Sequence, residues 1–474
     1  MTPPTLEAHA DADDILNFAR LSGDFNPVHL SPEFSRRTIF GGPVAHGVFL
    51  LLTGLDRIAT QLGSPVHLTQ LRATFHRSVP VGSAFTIRIK SMTESAAAVV
   101  IENMNQESAA TIKLKFDPSP RGMETVPNSG FECSAPTDST GAYAGCSGKV
   151  GLNLDRDRMR ALAPHALERF SPDQLSIILA TTRIIGMHCP GLHSVYCALD
   201  LTFASPGVSD GEIHYKAIRF EEELGSLEVQ ISNIACKGTL SAFVRPAPVN
   251  QPSSVALKSF VSAKQYLGRV ALVIGGSRGI GELSAKLLAL GGAKVALTFQ
   301  TGESDAKRVV SDIHSAGGSA FAFHLDAGRI AAQLHLGLGP DFRPTHIYYC
   351  ATPPVKAGRK LDFDSNVYEN FCRCYVSAMS DLVTEVERLG FIPIRIIAPS
   401  SDFMDAPKIG FAEYSKAKAA AEALASQINH ANCGVMVRMP RLPRLRTDLT
   451  NSFAHTQFGD SVPSVLRLLD DRAP

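Results

Sequence analysis

Residues 269–299 read RVALVIGGSRGIGELSAKLLALGGAKVALTF. Arg269–Ile274 is short, apolar and rich in β-branched residues, which predicts a buried strand. A glycine-rich turn follows, then helical periodicity over Ile280–Leu290 and a second buried strand at Ala293–Phe299. Strand, tight turn, helix and strand make a βαβ unit, so this part of the chain should be an α/β domain with a doubly wound parallel sheet. Strands at His346–Tyr349 and Ile394–Ala398, with helical segments between, continue the alternation. Within the turn, Gly275, Ser277, Arg278, Gly279, Ile280 and Gly281 are candidate cofactor contacts. Glycines there let backbone N–H groups approach a pyrophosphate, and the helix N-terminus behind them favours negative charge. The second strand ends Phe299-Gln300, without the carboxylate that would bind a ribose 2′-hydroxyl. With Arg278 inside the loop, this favours a 2′-phosphate, hence NADPH over NADH.

Outward from this unit, the chain has 474 residues, enough for about three domains. It is 45% hydrophobic and 19% charged, an ordinary globular balance that argues against disorder or coiled coil. Charges nearly cancel at +1 and no basic run appears, so a nucleic-acid partner has no electrostatic footing. Apolar runs such as Val48–Thr53 fall far short of the roughly 18 residues a membrane helix needs. Met1–Ala12 is polar and acidic, unlike a secretory signal. Nine cysteines without a C-x-x-C pair, Cys372 and Cys374 being one residue apart, suit small thiols in a reducing cytoplasm rather than disulfides or a metal site. The expectation is a cytoplasmic, soluble, multi-domain protein.

Two stretches read as linkers, Pro118–Ala144 and the proline-rich Pro246–Ser254. They divide the chain into 1–117, 145–246 and 265–474. The first two parts resemble each other. Val48–Ala59 leads through Gly63-Ser64-Pro65-Val66-His67 to a strand ending Thr74-Phe75, with strands at Ala84–Met92 and Ala97–Asn103. Leu175–Ile185 leads through Cys189-Pro190-Gly191-Leu192-His193 to a strand ending Thr202-Phe203, with strands at Glu212–Ile218 and Ser226–Ile234. The order suggests a diverged duplication, each half curling a sheet around one helix apolar on nearly every side.

The first part also carries chemistry. Residues 22–29 are Ser-Gly-Asp-Phe-Asn-Pro-Val-His, and 43–47 are Pro-Val-Ala-His-Gly at the head of the apolar helix. Asp24 and His29, five residues apart in a turn-rich segment, could both reach one water as base and acid. Gly47 offers an N–H with the positive end of the helix dipole behind it. On spacing alone, Asp24 and Asn26 could equally be turn residues and His46 a helix-start residue.

The segment Leu21–Gly47 (LSGDFNPVHLSPEFSRRTIFGGPVAHG), continued by Phe75–Gly82 (FHRSVPVG), resembles the MaoC-like (R)-specific enoyl-thioester hydratases over about residues 1–117. That resemblance implies a hot dog fold. It also implies that Asp24 and His29 activate the water added across an α,β double bond, that Asn26 shapes their turn, and that the Gly47 N–H polarises the thioester carbonyl. Run backwards, the same residues dehydrate a (R)-3-hydroxyacyl thioester. Residues 145–246 have no such segment and look like the inactive half of a double hot dog, supplying packing and part of an acyl tunnel. His193 there reads as structural.

Downstream, Tyr414-Ser415-Lys416-Ala417-Lys418 opens an Ala-rich helix, which puts Tyr414 and Lys418 on one face, where the ammonium could lower the phenol pKa. Ser401 lies thirteen residues earlier. With the glycine loop, residues 265–450 resemble the short-chain dehydrogenases/reductases. The resemblance implies Tyr414 as proton donor, Lys418 holding the nicotinamide ribose, Ser401 aligning the substrate oxygen and Asp326 contacting adenine. The chain departs from that family in having Tyr349-Cys350-Ala351-Thr352 for N-N-A-G, Tyr375 for a helix Asn, Arg441 for the glycine after Pro440, and a short tail after Thr447-Asp448.

Together the two resemblances imply a bifunctional enzyme. The reductase would convert a 3-ketoacyl thioester to a 3-hydroxyacyl thioester with NADPH. The hydratase-like part would then dehydrate it to a trans-2-enoyl thioester, in fatty-acid- or polyketide-like synthesis. The substrate would be carried on CoA or a carrier protein, with no nucleic acid, membrane or metal involved, and the chain would form a homodimer or larger. Two rivals remain at this point. In one, only the hydratase works beside a degenerate nucleotide-binding domain. In the other, the chain is a non-enzymatic sensor of acyl thioester and NADPH.

Overall fold

The computed structural model describes residues 5–118, 126–138, 141, 143–205, 211–355, 363–405, 409–451 and 457–470. Parts of the expected linker Pro118–Ala144, of the N-terminal segment Met1–Ala12 and of the tail after Asp448 lie outside the described residues. The chain divides into two compact units, one within residues 5–247 and the other within residues 248–451 and 457–470.

The first unit is built on one ten-stranded antiparallel sheet. Its strands are β1 (Leu6–His9), β2 (Val66–Phe75), β3 (Ala84–Met92), β4 (Ala96–Asn103), β5 (Ser108–Pro118), β6 (Ser147–Gly151), β7 (Ser194–Phe203), β8 (Glu212–Glu221), β9 (Ser226–Ser232) and β10 (Cys236–Val244). The order is β1-β3-β4-β5-β2-β7-β10-β9-β8-β6. Read outward from the centre, both halves place an inner strand, then three meandering strands, then a short edge strand. They meet where β2 pairs antiparallel with β7, with Arg72 opposite Asp200 in the middle of the paired stretch. That pair closes with a 2.8 Å ion pair on the solvent side.

Each half lays one long helix on its sheet. Gly47–Ala59 buries nine residues, and Gly54 brings it so near β5 that a Cβ would stand 2.4 Å from Ile112 Cδ1. Pro172–Arg183 is buried along its whole length and runs on into a wider π-turn at Ile184–His188. The two histidines of the repeated pattern do not correspond. Both central strands span ten residues and end on Thr-Phe, but His67 lies inside β2 whereas His193 precedes β7. The described part of 118–144 is largely exposed but tethered to the first unit by backbone hydrogen bonds. Phe131 N donates to Arg20 O at 2.9 Å, and Thr137 exchanges backbone hydrogen bonds with Met187 (2.8 Å) and Leu192 (2.9 Å).

The second unit is a six-stranded parallel sheet. Its strands β11 (Val270–Ile274), β12 (Lys294–Phe299), β13 (Ser319–His324), β14 (His346–Tyr349), β15 (Ile394–Ile397) and, after the two-residue β16 (Ser400–Ser401), β17 (Val435–Arg438) stand in the order β13-β12-β11-β14-β15-β17. A two-residue β18 (Arg441–Leu442) pairs with β16. Two apolar clusters cover opposite faces, with Val273 and Leu297 in one and Leu272 and Ala296 in the other. Alternate residues of one strand thus face different helix layers. The order reverses between β11 and β14, where a parallel sheet opens a crevice at its carboxyl edge.

Candidate active sites

In the first unit, Gly23 ends the helix Ala12–Ser22 with φ +79°, and the chain turns into the Asp24–His29 segment. Asp24 is 1% exposed. Its Oδ1 accepts from Asn26 N at 3.2 Å and its Oδ2 from Thr182 Oγ1 at 2.7 Å. Asn26 caps the short Pro27–Leu30 helix through Val28 N, while its Nδ2 reaches Gly186 O at 2.9 Å and Gly191 O at 3.1 Å. Its role exceeds that of a turn former, because it fastens the segment to the other half of the sheet. His29 Nδ1 lies 2.7 Å from Val44 O. A carbonyl only accepts, so Nδ1 carries the proton and Nε2 of the neutral ring keeps a free lone pair.

His46 ends the approach to the apolar helix and stacks on His29, with ring centroids 3.6 Å apart. Its Nε2 donates to Asp24 O at 3.0 Å. Polar side-chain atoms of Asp24, His29 and His46 all lie within 4.8 Å of one another. Distance alone would admit a metal ion. Each ring gives one N–H to a backbone carbonyl, which fixes its tautomer and leaves a lone pair on its other nitrogen. Gly47 lies against Phe75, whose ring a Cβ would meet at 2.9 Å. A larger residue is therefore excluded at the head of this helix. Asp24, His29, Gly47 and Thr182 line one cavity, with Ile185 and Tyr196 of the second half in its wall.

In the second unit the glycine turn is sterically enforced. Gly275 has φ +80°, and a Cβ there would meet Ala351 N at 2.9 Å; a Cβ on Gly281 would stand 2.2 Å from Gly275 O. Gly279 (φ +59°) starts the helix Gly279–Leu290. A cradle this tight, with Ser277 buried and Ile280 in the pocket wall, fits a dinucleotide phosphate. Arg278 lies 3.5 Å from the buried Asp448, so its charge is partly engaged within the protein. Asp326 caps a turn by accepting from Gly328 N at 2.9 Å.

Ser401, Tyr414 and Lys418 come together in a pocket that also takes in Ile280, Tyr349 and Tyr375. Ser401 is hydrogen-bonded to Tyr414. Lys418 Nζ donates to Pro399 O at 2.8 Å and lies 3.9 Å from the Tyr375 ring centroid.

Comparison with known proteins agrees with both geometries. The family profile described as MaoC like domain matches residues 2–110, and that of short chain dehydrogenase matches residues 269–335. This chain joins a MaoC-like domain to a short-chain dehydrogenase domain. A 3-hydroxybutyryl-CoA dehydratase of Methylorubrum extorquens is 31% identical over 87 residues, 18% of this chain and 55% of that protein. A probable tetrahydroxynaphthalene reductase of Zymoseptoria tritici is 39% identical over 82 residues, 17% of this chain and 31% of that protein. An (R)-specific enoyl-CoA hydratase of Aeromonas caviae is 48% identical over 46 residues, 9% of this chain and 34% of that protein. The chain thus spans about half the length of the first of these relatives and about a third of the others. The dehydrogenase match ends before Ser401, Tyr414 and Lys418, whose grouping rests on geometry.

Electrostatics separate the groups of the MaoC-like domain. Burial pushes the Asp24 carboxyl above its ordinary range, while His29, the Thr182 hydroxyl and the Asn26 amide pull it back. Burial holds His29 below its ordinary value against the pull of Asp24, and holds His46 well below. In the short-chain dehydrogenase domain, burial lowers Lys418 to about 8. Tyr414 corrects an expectation. Burial raises its phenol, with Ser401 opposing and Asp402 adding to the rise, and the Lys418 ammonium is turned toward Pro399 and Tyr375. Tyr375 sits in a π-turn, Arg373–Ser377, and shares a hydrogen bond with Thr352. Arg441 binds Glu422 (2.7 Å) and Asp405 outside the pocket.

Sequence reasoning missed Thr182, Gly186 and the stacking of His46 on His29. None has a local signature; only the contact partners, more than a hundred residues away for Thr182 and Gly186, reveal them. His193, read as structural, lies outside the cavity and pairs with Asp138 at 3.5 Å. Among the described residues, no helix is long and apolar enough to cross a membrane.

Proposed function

We propose that the chain is a bifunctional enzyme that reduces a 3-ketoacyl thioester and dehydrates the resulting (R)-3-hydroxyacyl thioester to the trans-2-enoyl product. The observation that carries the reading is the joint placement of Asp24 and His29 on one cavity beside Gly47, in a chain that also groups Ser401, Tyr414 and Lys418 around a second pocket. Two chemistries at one β-carbon are what a 3-keto to 2-enoyl conversion requires.

In the MaoC-like domain, His29 Nε2 and the Asp24 carboxylate hold the water that adds to, or leaves, the β-carbon. One takes and the other returns its proton. The Gly47 N–H faces the thioester oxygen as charge develops on it. The second half, 145–246, completes a double hot dog whose inner wall shapes the acyl tunnel, giving the three-part division 1–117, 145–246 and 265–474.

In the dehydrogenase domain, the Gly275–Gly281 turn holds the pyrophosphate, Asp326 lies toward adenine, and Lys418 holds the ribose. When bound, the nicotinamide nucleotide supplies the reducing equivalents. Ser401 orients the substrate carbonyl and Tyr414 Oη gives its proton to the carbonyl oxygen. The missing acid at Phe299-Gln300 and the cation Arg278 support NADPH. The substrate would be carried on CoA or a carrier protein in the cytoplasm, by a homodimer or larger assembly.

One observation favours a second reading. Tyr375, held by Thr352, takes the aromatic face to Lys418, an arrangement that would also suit a nucleotide-binding scaffold without turnover. A mass-spectrometric time course with NADPH and a 3-ketoacyl thioester decides between them. A transient 3-hydroxyacyl species followed by enoyl product is expected. Untouched ketoacyl substrate, with supplied (R)-3-hydroxyacyl thioester still dehydrated, would leave the scaffold reading.

A further inference from the structure

Asp24 is gripped from the half of the sheet domain that lacks an Asp-Phe-Asn-Pro-Val-His segment. Thr182, 158 residues away, donates its hydroxyl hydrogen to Asp24 Oδ2 at 2.7 Å. One helical turn later, Gly186 presents bare backbone to the whole carboxyl group. A Cβ there would stand 2.3 Å from Oδ1 and 2.5 Å from Oδ2. Gly186 O is in turn anchored by Asn26 Nδ2, so the contact is tied at both ends.

The behaviour of the neighbouring hydroxyls sets Thr182 apart. Thr181 Oγ1 bonds back to Ile178 O at 2.7 Å and Ser176 Oγ to Asp173 O at 2.8 Å, the usual satisfaction of a hydroxyl within its own helix. Thr182, on the same helix and 3% exposed, turns its hydroxyl outward to the carboxylate instead. A buried carboxylate free to rotate would lose its alignment, and one left without a donor would favour its neutral form.

We propose that Thr182 is a positioning residue of the hydration site, fixing the rotation of the Asp24 carboxylate from the second half of the sheet, so that this half completes the site rather than merely packing beside it. The inference rests on the hydratase reading of Asp24 and His29. The titratable and charged groups around the carboxylate are His29 on its own segment, His46 at the head of the apolar helix, Arg183 beside Thr182, whose Cδ would lie 2.7 Å from a Cβ on Gly23, and Arg245, which acts on His29. Thr182 is among the contacts that favour the ionised carboxylate. Removing its hydroxyl should therefore move the acid-side loss of activity to higher pH.

The test is hydration of crotonyl-CoA by the full chain, followed across pH for the unaltered protein, Thr182→Val, Thr182→Ser and Asp24→Asn. The expected result is a fall in kcat of about tenfold for Thr182→Val with KM within about twofold. Its acid limb should be displaced upward, and Thr182→Ser should restore both. Should the valine chain prove insoluble, Thr182→Ala removes the same hydroxyl and is read in the same way. A valine or alanine variant with the unaltered kcat and acid limb would overturn the inference while the loss of activity in Asp24→Asn upheld the hydratase reading. An unaltered chain that does not hydrate crotonyl-CoA would overturn that reading, and the inference with it.

Discussion

The Lys418 ammonium lies 3.9 Å from the centroid of the Tyr375 ring but 5.9 Å from that of Tyr414. The lysine is thus cradled by the ring of Tyr375 rather than by that of Tyr414. An aromatic face favours the charged ammonium by about 0.5–2 kcal/mol, which opposes the burial that lowers Lys418 to about 8. The ammonium is present below that pH and lost above it. Reduction of a 3-ketoacyl thioester should therefore decline as pH rises past about 8. Tyr375→Leu should bring the decline to lower pH, whereas Tyr375→Phe, which keeps the face, should not. Initial rates across pH at saturating NADPH check this.

The two sites should fail separately. Asp24→Asn is expected to reduce hydration of an enoyl thioester by about 10²–10⁴-fold with ketoacyl reduction unchanged, and Tyr414→Phe to do the reverse. Assays on the two purified variants with each substrate alone give the answer. Loss of both activities in either variant would argue against independent sites.

Gly281→Ala should weaken NADPH binding by about tenfold or more, because the new Cβ would lie 2.2 Å from Gly275 O and neither backbone can yield without opening the turn. Hydration should be untouched. Fluorescence titration with NADPH measures the change.

A buried ionic cluster pins the dehydrogenase domain. Lys286 Nζ lies 2.8 Å from Glu282 and 2.9 Å from Asp312, and the side chains of Glu282 and Lys286 are both 1% exposed. Removing one partner of a buried pair costs about 3–5 kcal/mol. Arg308 still reaches Glu282 at 2.9 Å, so Lys286→Met should sit at the lower end, about 3 kcal/mol. Urea unfolding of the variant against the unaltered chain reads it out.

Much of the local structure was legible. The helix expected at Val48–Ala59 forms as Gly47–Ala59, and the strand Ala84–Met92 forms with those bounds. Ser108–Pro118 and Cys236–Val244 were not foreseen as strands, yet they lie between the foreseen strands and the central pair of the sheet. The Ser-Tyr-Lys grouping was visible because Tyr414 and Lys418 are one helical turn apart. The direction in which the Lys418 ammonium points was not, since Pro399 and Tyr375 approach it from other elements.

Features that depend on neighbours a few residues apart can be read directly along the chain. They include the alternation of strand, glycine turn and helix at 269–299, the Asp24–His29 spacing in one turn, and the apolar helices, all set by local sterics and periodic burial. Tertiary structure alone decided which strands join, how Arg72 comes to face Asp200, and that Thr182 and Gly186 close on Asp24. Those contacts link residues more than a hundred positions apart. No period or local propensity records them, because they exist only once two separately patterned halves have buried their apolar faces and brought their polar remainders together.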